Sequence, residues 1–253
     1  MIVWLLAGWL AVARGRPSAG LVLAAVGALT KPIGLLALPF LALAGWRQCP
    51  DGRAKWRFVG LAGWGMAAAV WLAFLPFGSP LALGQRLLRE AGNSAGFSAG
   101  ALVMLFTGWQ DWIGPAGLVL LGGAALWLRW RGGHGRSPFR GIADIFFVYV
   151  WQALNFRIWY AVWPFAWLLL DDSSSPRRHG DGTGLGYRQR VGMWFLLTSQ
   201  LSVVIYGHVR AFWLGGSHLA AHLIGVPFTF LLPWVLGMVR YLLNIPGRVD
   251  KFS

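Results

Sequence analysis

Long apolar runs alternate with short basic gaps along the whole chain, and the runs are the first guide to its elements. Phe58 to Phe77 is long enough to cross a hydrocarbon core, which takes about 20 residues as a helix, and it closes at Gly78-Ser79-Pro80. Pro115 to Trp130 predicts another crossing; Val191 to Tyr206 predicts an outgoing span and Leu219 to Arg240 its return. Met1 to Ala13 is apolar but short. It has no basic stretch ahead of it, as a signal peptide would, so it reads as a span that has lost its beginning. On that reading the chain is the later part of a longer polypeptide.

Two runs are too long for one span. Ala19 to Trp46 would rise about 42 Å as a single helix, against a core of about 30 Å, and it is interrupted at Thr30-Lys31-Pro32. A residue that precedes proline avoids the α region. Two short helices turning at Lys31-Pro32 fit this, with Lys31 towards the outer face; one Pro-kinked helix with Lys31 reaching to an interface is the alternative. Gly141 to Asp171 has the same character, with its interruption at Asn155-Phe156-Arg157.

Between the spans, residues 78–114 form an expected outer loop. Within it Leu81 to Ala91 places Leu81, Leu83, Leu87, Leu88 and Ala91 on one helical face and Gln85, Arg86, Arg89 and Glu90 opposite, the pattern of a helix lying on a membrane surface. Ala101 to Trp109 is too short to cross, so it dips back or packs on the bundle. Residues 172–190, rich in Ser, Gly and Arg, predict a cytoplasmic linker, and Gly182 to Gly186 make no phosphate-loop pattern.

Charge sets the orientation. Most of the 22 Lys and Arg residues lie in the gaps: Arg14 and Arg16; Arg47, Arg53, Lys55 and Arg57; Arg129, Arg131, Arg136 and Arg140; Arg177, Arg178, Arg188 and Arg190; Arg240, Arg248 and Lys251. All these gaps face one side if each run crosses, or half-crosses and returns, and clustered positive charge marks the cytoplasmic face. The expected fold is all-α: a polytopic membrane helix bundle of about nine membrane segments, short paired helices among them, in one transmembrane domain (1–253) with a cytoplasmic C-terminus in the cell membrane. Composition agrees, at 57% hydrophobic and 12% charged residues with mean hydropathy +0.58; soluble domains carry about 25% charged residues. The net charge of +14 would suggest nucleic acid in a soluble chain. Here topology accounts for it, and no nucleic acid is expected. Several of the 17 Trp residues (Trp46, Trp56, Trp109, Trp112, Trp127 and Trp130) fall beside span ends, where an indole suits the headgroup level. Cys49 is the only cysteine, so no intrachain disulfide forms.

Setting the cytoplasmic charges aside leaves Lys31, Arg86, Arg89, Arg157 and Arg210 towards the outer side. Lys31 and Arg157 stand out because each occupies a break between shortened helices. Charge at membrane depth faces a cavity or a partner, and broken helices line binding sites. One reading is that both converge on an anionic ligand, a lipid phosphate; the other is interfacial snorkelling. Of the acids, only Glu90 and Asp111 are predicted outside, where a general base for an outer-face reaction has to be. Each also fits a solvated loop charge, no paired carboxylate is present, and catalytic residues stay unassigned. His218 and His222 share a helix face, yet no cysteine or carboxylate lies near them, so neither a metal site nor any other cofactor is expected.

Two stretches carry a family resemblance. Ala24 to Phe40, AAVGALTKPIGLLALPF, resembles the apolar helix, L-T-K-P, apolar helix, L-P segment of polytopic glycosyltransferases of the GT-C superfamily, in particular the polyprenyl-phosphate mannosyltransferase-like family 87. Asn155 to Leu170, NFRIWYAVWPFAWLLL, is similar through its W-Y-x-x-W-P core to the opening of a late helix in that family. The resemblance implies transfer of a hexose, mannose in that family, from a polyprenyl-phosphate donor to a glycan or lipid acceptor on the outer face. Lys31 and Arg157 would neutralise the leaving lipid phosphate, and Trp159 and Tyr160 would line the sugar or lipid pocket. The family's acidic base lies in a first outer loop that nothing here matches, which implies a C-terminal portion, inactive alone, or a partner chain that supplies the N-terminal half. The competing class is a non-catalytic membrane protein, such as a lipid-phosphate carrier or transporter subunit.

Overall fold

The computed structural model describes residues 1–76, 79, 81–82, 84–85, 96–134, 137–154, 156–171 and 186–243. All regular structure among them is helical. Most of the expected surface helix Leu81 to Ala91, Arg86, Arg89 and Glu90 included, lies outside the described residues, as do Asn155, residues 172–185 of the linker and 244–253 of the tail.

The chain divides into two compact units, Met1–Ser94 with Leu118–Phe146, and Ala95–Gly117 with Phe147–Ser253. In the first, α1 (Ile2–Ala13) leads into α2 (Pro17–Thr30), whose Pro17 starts it with the φ a helix needs. After Lys31 comes a 3-10 turn, Pro32–Ala37, then α3 (Leu38–Gln48) and α4 (Gly52–Phe74). α2 packs against both neighbours through glycine. A Cβ on Gly8 of α1 would stand 2.6 Å from the Gly20 carbonyl oxygen of α2, so these backbones touch as small-residue membrane interfaces do. α3 doubles back: Gly45 near its end lies against Pro17 at the start of α2 and against Phe58 of α4. Ser18 Oγ donates to the Phe58 carbonyl at 3.4 Å, and Gly65 lies against Val22 further on, so α2 and α4 run in the same direction. The chain therefore turns at Lys31 as two short helices, and Lys31 sits at the far end of this unit from Arg16, Arg47 and Arg53.

The spans differ from the apolar runs at their ends, for local reasons. α4 starts six residues before Phe58 because the Asp51 carboxylate accepts from the Ala54 N–H at 2.7 Å, an N-cap that carries Arg53, Lys55 and Arg57 onto the helix. Next come α5 (Ala99–Thr107), capped by Ser98 and ended by Gly108 at φ +67°, and α6 (Gln110–Gly133), which holds Pro115 inside it. α7 (Pro138–Gln152) follows.

In the second unit a 3-10 turn, Ile158–Ala161, precedes α8 (Val162–Leu169). α9 (Tyr187–Val204) widens into a π-turn at Ile205–Val209 and ends with Arg210–Phe212. α10 (His218–Val226) passes through a second π-turn, Pro227–Leu231, into α11 (Leu232–Leu243). Residues 187–190, expected in the linker, are the first turn of α9, where the Gln189 side chain accepts from the Gly186 N–H at 3.0 Å and donates to the Leu168 carbonyl at 3.1 Å. The core is aromatic: Phe156 is fully buried, with ring centroids 5.2 Å from Phe230 and 6.3 Å from Phe195.

Three stretches, Gly52–Phe74, Asp111–Gly132 and His218–Met238, are helices long and apolar enough to cross a membrane. In the first two only 11% of the apolar stretch is buried inside the protein. Apolar surface on that scale, turned outward, marks a membrane or partner surface, and the chain is accordingly a candidate multi-pass membrane protein.

Candidate functional site

Both cations singled out by the sequence are held by the same local device. Lys31 is extended (φ −156°, ψ 114°) because Pro32 follows it, and its carbonyl accepts from the Gly34 N–H at 2.9 Å to open the 3-10 turn. Arg157 is extended as well (φ −124°, ψ 145°), and its carbonyl accepts from the Tyr160 N–H at 2.8 Å. After each 3-10 turn an α-helix begins with proline one or two residues in: Leu38-Pro39-Phe40 in the first unit, Val162-Trp163-Pro164-Phe165 in the second. An extended residue ahead of a tight turn projects its side chain away from the helix that follows. The two cations belong to different units, and each has its setting within its own.

Lys31 is half-buried, and Thr30 Oγ1 closes the end of α2 by donating to the Gly27 carbonyl at 2.6 Å. Arg157 is exposed. Beside it Trp159 is 55% exposed while Tyr160 is 7% exposed. The Tyr160 ring stacks on Trp163 at 4.0 Å with planes 22° apart and meets Phe156 edge-on at 6.0 Å. The structure thus brings Arg157, Trp159 and Tyr160 together on one turn and divides their surroundings. Arg157 and Trp159 face outward, and Tyr160 is part of the aromatic wall that fixes the turn. A guanidinium next to an exposed indole suits a phosphate beside a sugar or apolar chain, since Arg forks onto phosphate oxygens and an indole offers a broad apolar face with one N–H donor.

Two features of the second unit emerge only in the structure. Thr198, Ser199, Ser202 and Thr229 are all buried; Thr198 Oγ1 lies 2.9 Å from the Trp194 carbonyl of its own helix and 3.2 Å from the Thr229 carbonyl, so its one O–H is shared between α9 and the second π-turn. The signal was present as Thr and Ser at helical spacing within an apolar run. His222 is the other: its Nδ1 faces the His218 carbonyl at 2.7 Å and its Nε2 the Gly96 carbonyl at 3.2 Å. Each ring nitrogen faces a carbonyl oxygen, and with its proton on Nε2 the His222 ring links α10 to the chain at Gly96. The His218 ring nitrogens face the Arg210 guanidinium, Nε2 at 2.6 Å. Among the described residues no group of three or more His, Cys, Asp or Glu is placed to hold a metal ion.

Of the acids expected on the outer side, Asp111 is exposed in the first turn of α6, and Glu90 lies outside the described residues. The chain matches no protein-family model, no curated protein and no solved structure.

Proposed function

We propose that this chain is a multi-pass protein of the cell membrane that binds a polyprenyl-phosphate sugar at its outer face and takes part in transfer of the hexose to a glycan or lipid acceptor. The observation that supports this is the repeated cation device: Lys31 and Arg157, each extended ahead of a 3-10 turn at a helix break. In this reading each cation is, within its own unit, a contact for a lipid phosphate, and takes up charge that develops there as the sugar departs. Fixed charges opposite a developing anion are a large catalytic contribution. Trp159 meets the sugar or the first isoprene units, and Tyr160 holds the turn. The proton released by the acceptor hydroxyl goes to a carboxylate, either an outer acid of this chain or one supplied by a partner chain.

A second reading, a carrier that binds the lipid phosphate without turnover, is favoured by the acid inventory. Asp111 is the one acid among the described residues that the proposed topology puts outside, and it is exposed in the first turn of α6. The test is the full chain reconstituted in vesicles with a radiolabelled polyprenyl-phosphate hexose. Lys31→Gln and Arg157→Gln should each weaken binding about 10-fold or more, the loss of one charge-assisted contact. Label passing to an acceptor identifies the transferase; label bound but never transferred identifies the carrier. Undiminished affinity in both variants refutes both.

A further inference from the structure

The first unit carries a groove that the proposed outer site does not use. It lies between α2, α3 and α4, has a volume of about 400 Å³, and is lined by Leu21, Leu43, Trp46, Phe58, Met66 and Arg129 among others. That volume is within the range of ligand clefts, about 300–1,000 Å³. Each of these helices brings to the groove the part nearest a basic gap: Leu21 follows Arg16, Leu43 and Trp46 precede Arg47, and Phe58 follows Arg57.

The rim is cationic. The Lys55 ammonium stands 5.4 Å from the Trp46 ring centroid, so it hangs over the groove's edge, and Arg129 is exposed on the lining itself. Arg47 donates to the Gly132 carbonyl, which joins the end of α3 to the end of α6, the helix that carries Arg129. The acid of this gap, Asp51, spends a carboxylate oxygen on the Ala54 N–H at 2.7 Å and caps α4. An apolar slot with cations beside it suits a molecule with a hydrocarbon tail and an anionic head. Basic pockets between membrane helices on the cytoplasmic side hold anionic lipid headgroups.

We propose that this groove binds an anionic phospholipid of the inner leaflet, one acyl chain lying along Leu21, Leu43, Phe58 and Met66 and the phosphate meeting Arg129 and Lys55. The inference rests on the multi-pass reading with basic gaps inside, and the experiment separates the two. The full chain, first shown to stay with membranes after a carbonate wash, is purified with phosphatidylglycerol and phosphatidylcholine of equal chain length, and retained lipid is counted by native mass spectrometry. Wild type should retain phosphatidylglycerol several-fold over phosphatidylcholine. The Arg129→Gln, Lys55→Gln double variant should bring that ratio to about one. Gly63→Leu, which fills the groove from a position where an added Cβ meets nothing within 4 Å, should lower retention of both lipids without loss of thermal stability. Equal retention of the two lipids by wild type, an unchanged ratio in the double variant, or full retention in Gly63→Leu overturns the lipid site. A chain stripped off by carbonate overturns the multi-pass reading itself.

Discussion

Replacing Gly8 by alanine adds one methyl group where α1 and α2 touch. An added Cβ at Gly8 would stand 2.6 Å from the Gly20 carbonyl oxygen and 3.2 Å from the Ala24 nitrogen, both backbone atoms that no rotamer change can move aside. The helices have to separate, and overpacking of this kind costs about 1–3 kcal/mol. Alanine also gains about 1 kcal/mol over glycine in a helix interior, which would blur a single measurement. Gly60 of α4 supplies the control, since a Cβ there meets nothing within 4 Å. Gly60→Ala carries the propensity gain alone, so the difference between the two variants isolates the packing cost. At about 2–4 °C per kcal/mol for a chain of this size, Gly8→Ala should melt roughly 2–12 °C below Gly60→Ala. Thermal unfolding of the purified protein in a mild detergent, followed by circular dichroism, reads the difference. Equal melting temperatures would refute the close crossing of α1 and α2.

Phe156 is fully buried, so Phe156→Ala should cost about 3–5 kcal/mol; a denaturant titration showing less than about 1 kcal/mol would contradict its place at the centre of the aromatic core. Gln189→Ala removes the acceptor for the Gly186 N–H and the donor to the Leu168 carbonyl and should cost about 1–3 kcal/mol, while Gln189→Glu, which keeps the acceptor, should fall between it and wild type in the same titration. In a Cys49→Ser background, Lys31→Cys and Arg157→Cys should both react with an impermeant thiol reagent from the outer side of oriented vesicles. Labelling of those positions from opposite sides would eliminate an outer-face phosphate role for both.

The helix breaks were legible because proline and charge announce them. Pro32 forces Lys31 out of the α region, and α2 does end at Thr30. Helix ends were less legible. The apolar run placed the start of a span at Phe58, but a helix begins where its first amide hydrogens find an acceptor, and Asp51 provides one upstream. Pro115 read as a first residue, the position proline favours; α6 instead begins at Gln110, and its first turn is secured where the Trp112 and Ile113 N–H groups donate to the Trp109 carbonyl. The π-turns at Ile205–Val209 and Pro227–Leu231 have no periodic signature, since each is a one-residue widening inside a run that still reads as helix. At the candidate site the sequence separated Arg157 from ordinary loop charge but not Trp159 from Tyr160. Adjacent aromatics look alike until packing turns one ring inward.

The shortness of α2 bears on the lipid around it. Its 14 residues rise about 21 Å, about 9 Å less than a hydrocarbon layer of about 30 Å. On the proposed topology, with Arg16 among inner headgroups, the backbone at Lys31 would stop short of the opposite headgroup plane. The outer leaflet would dimple to meet it, and water would descend with the phosphates. The protein would then sort towards thinner bilayers, and an amphiphile arriving from the outer leaflet would meet the lysine at the floor of a hydrated depression.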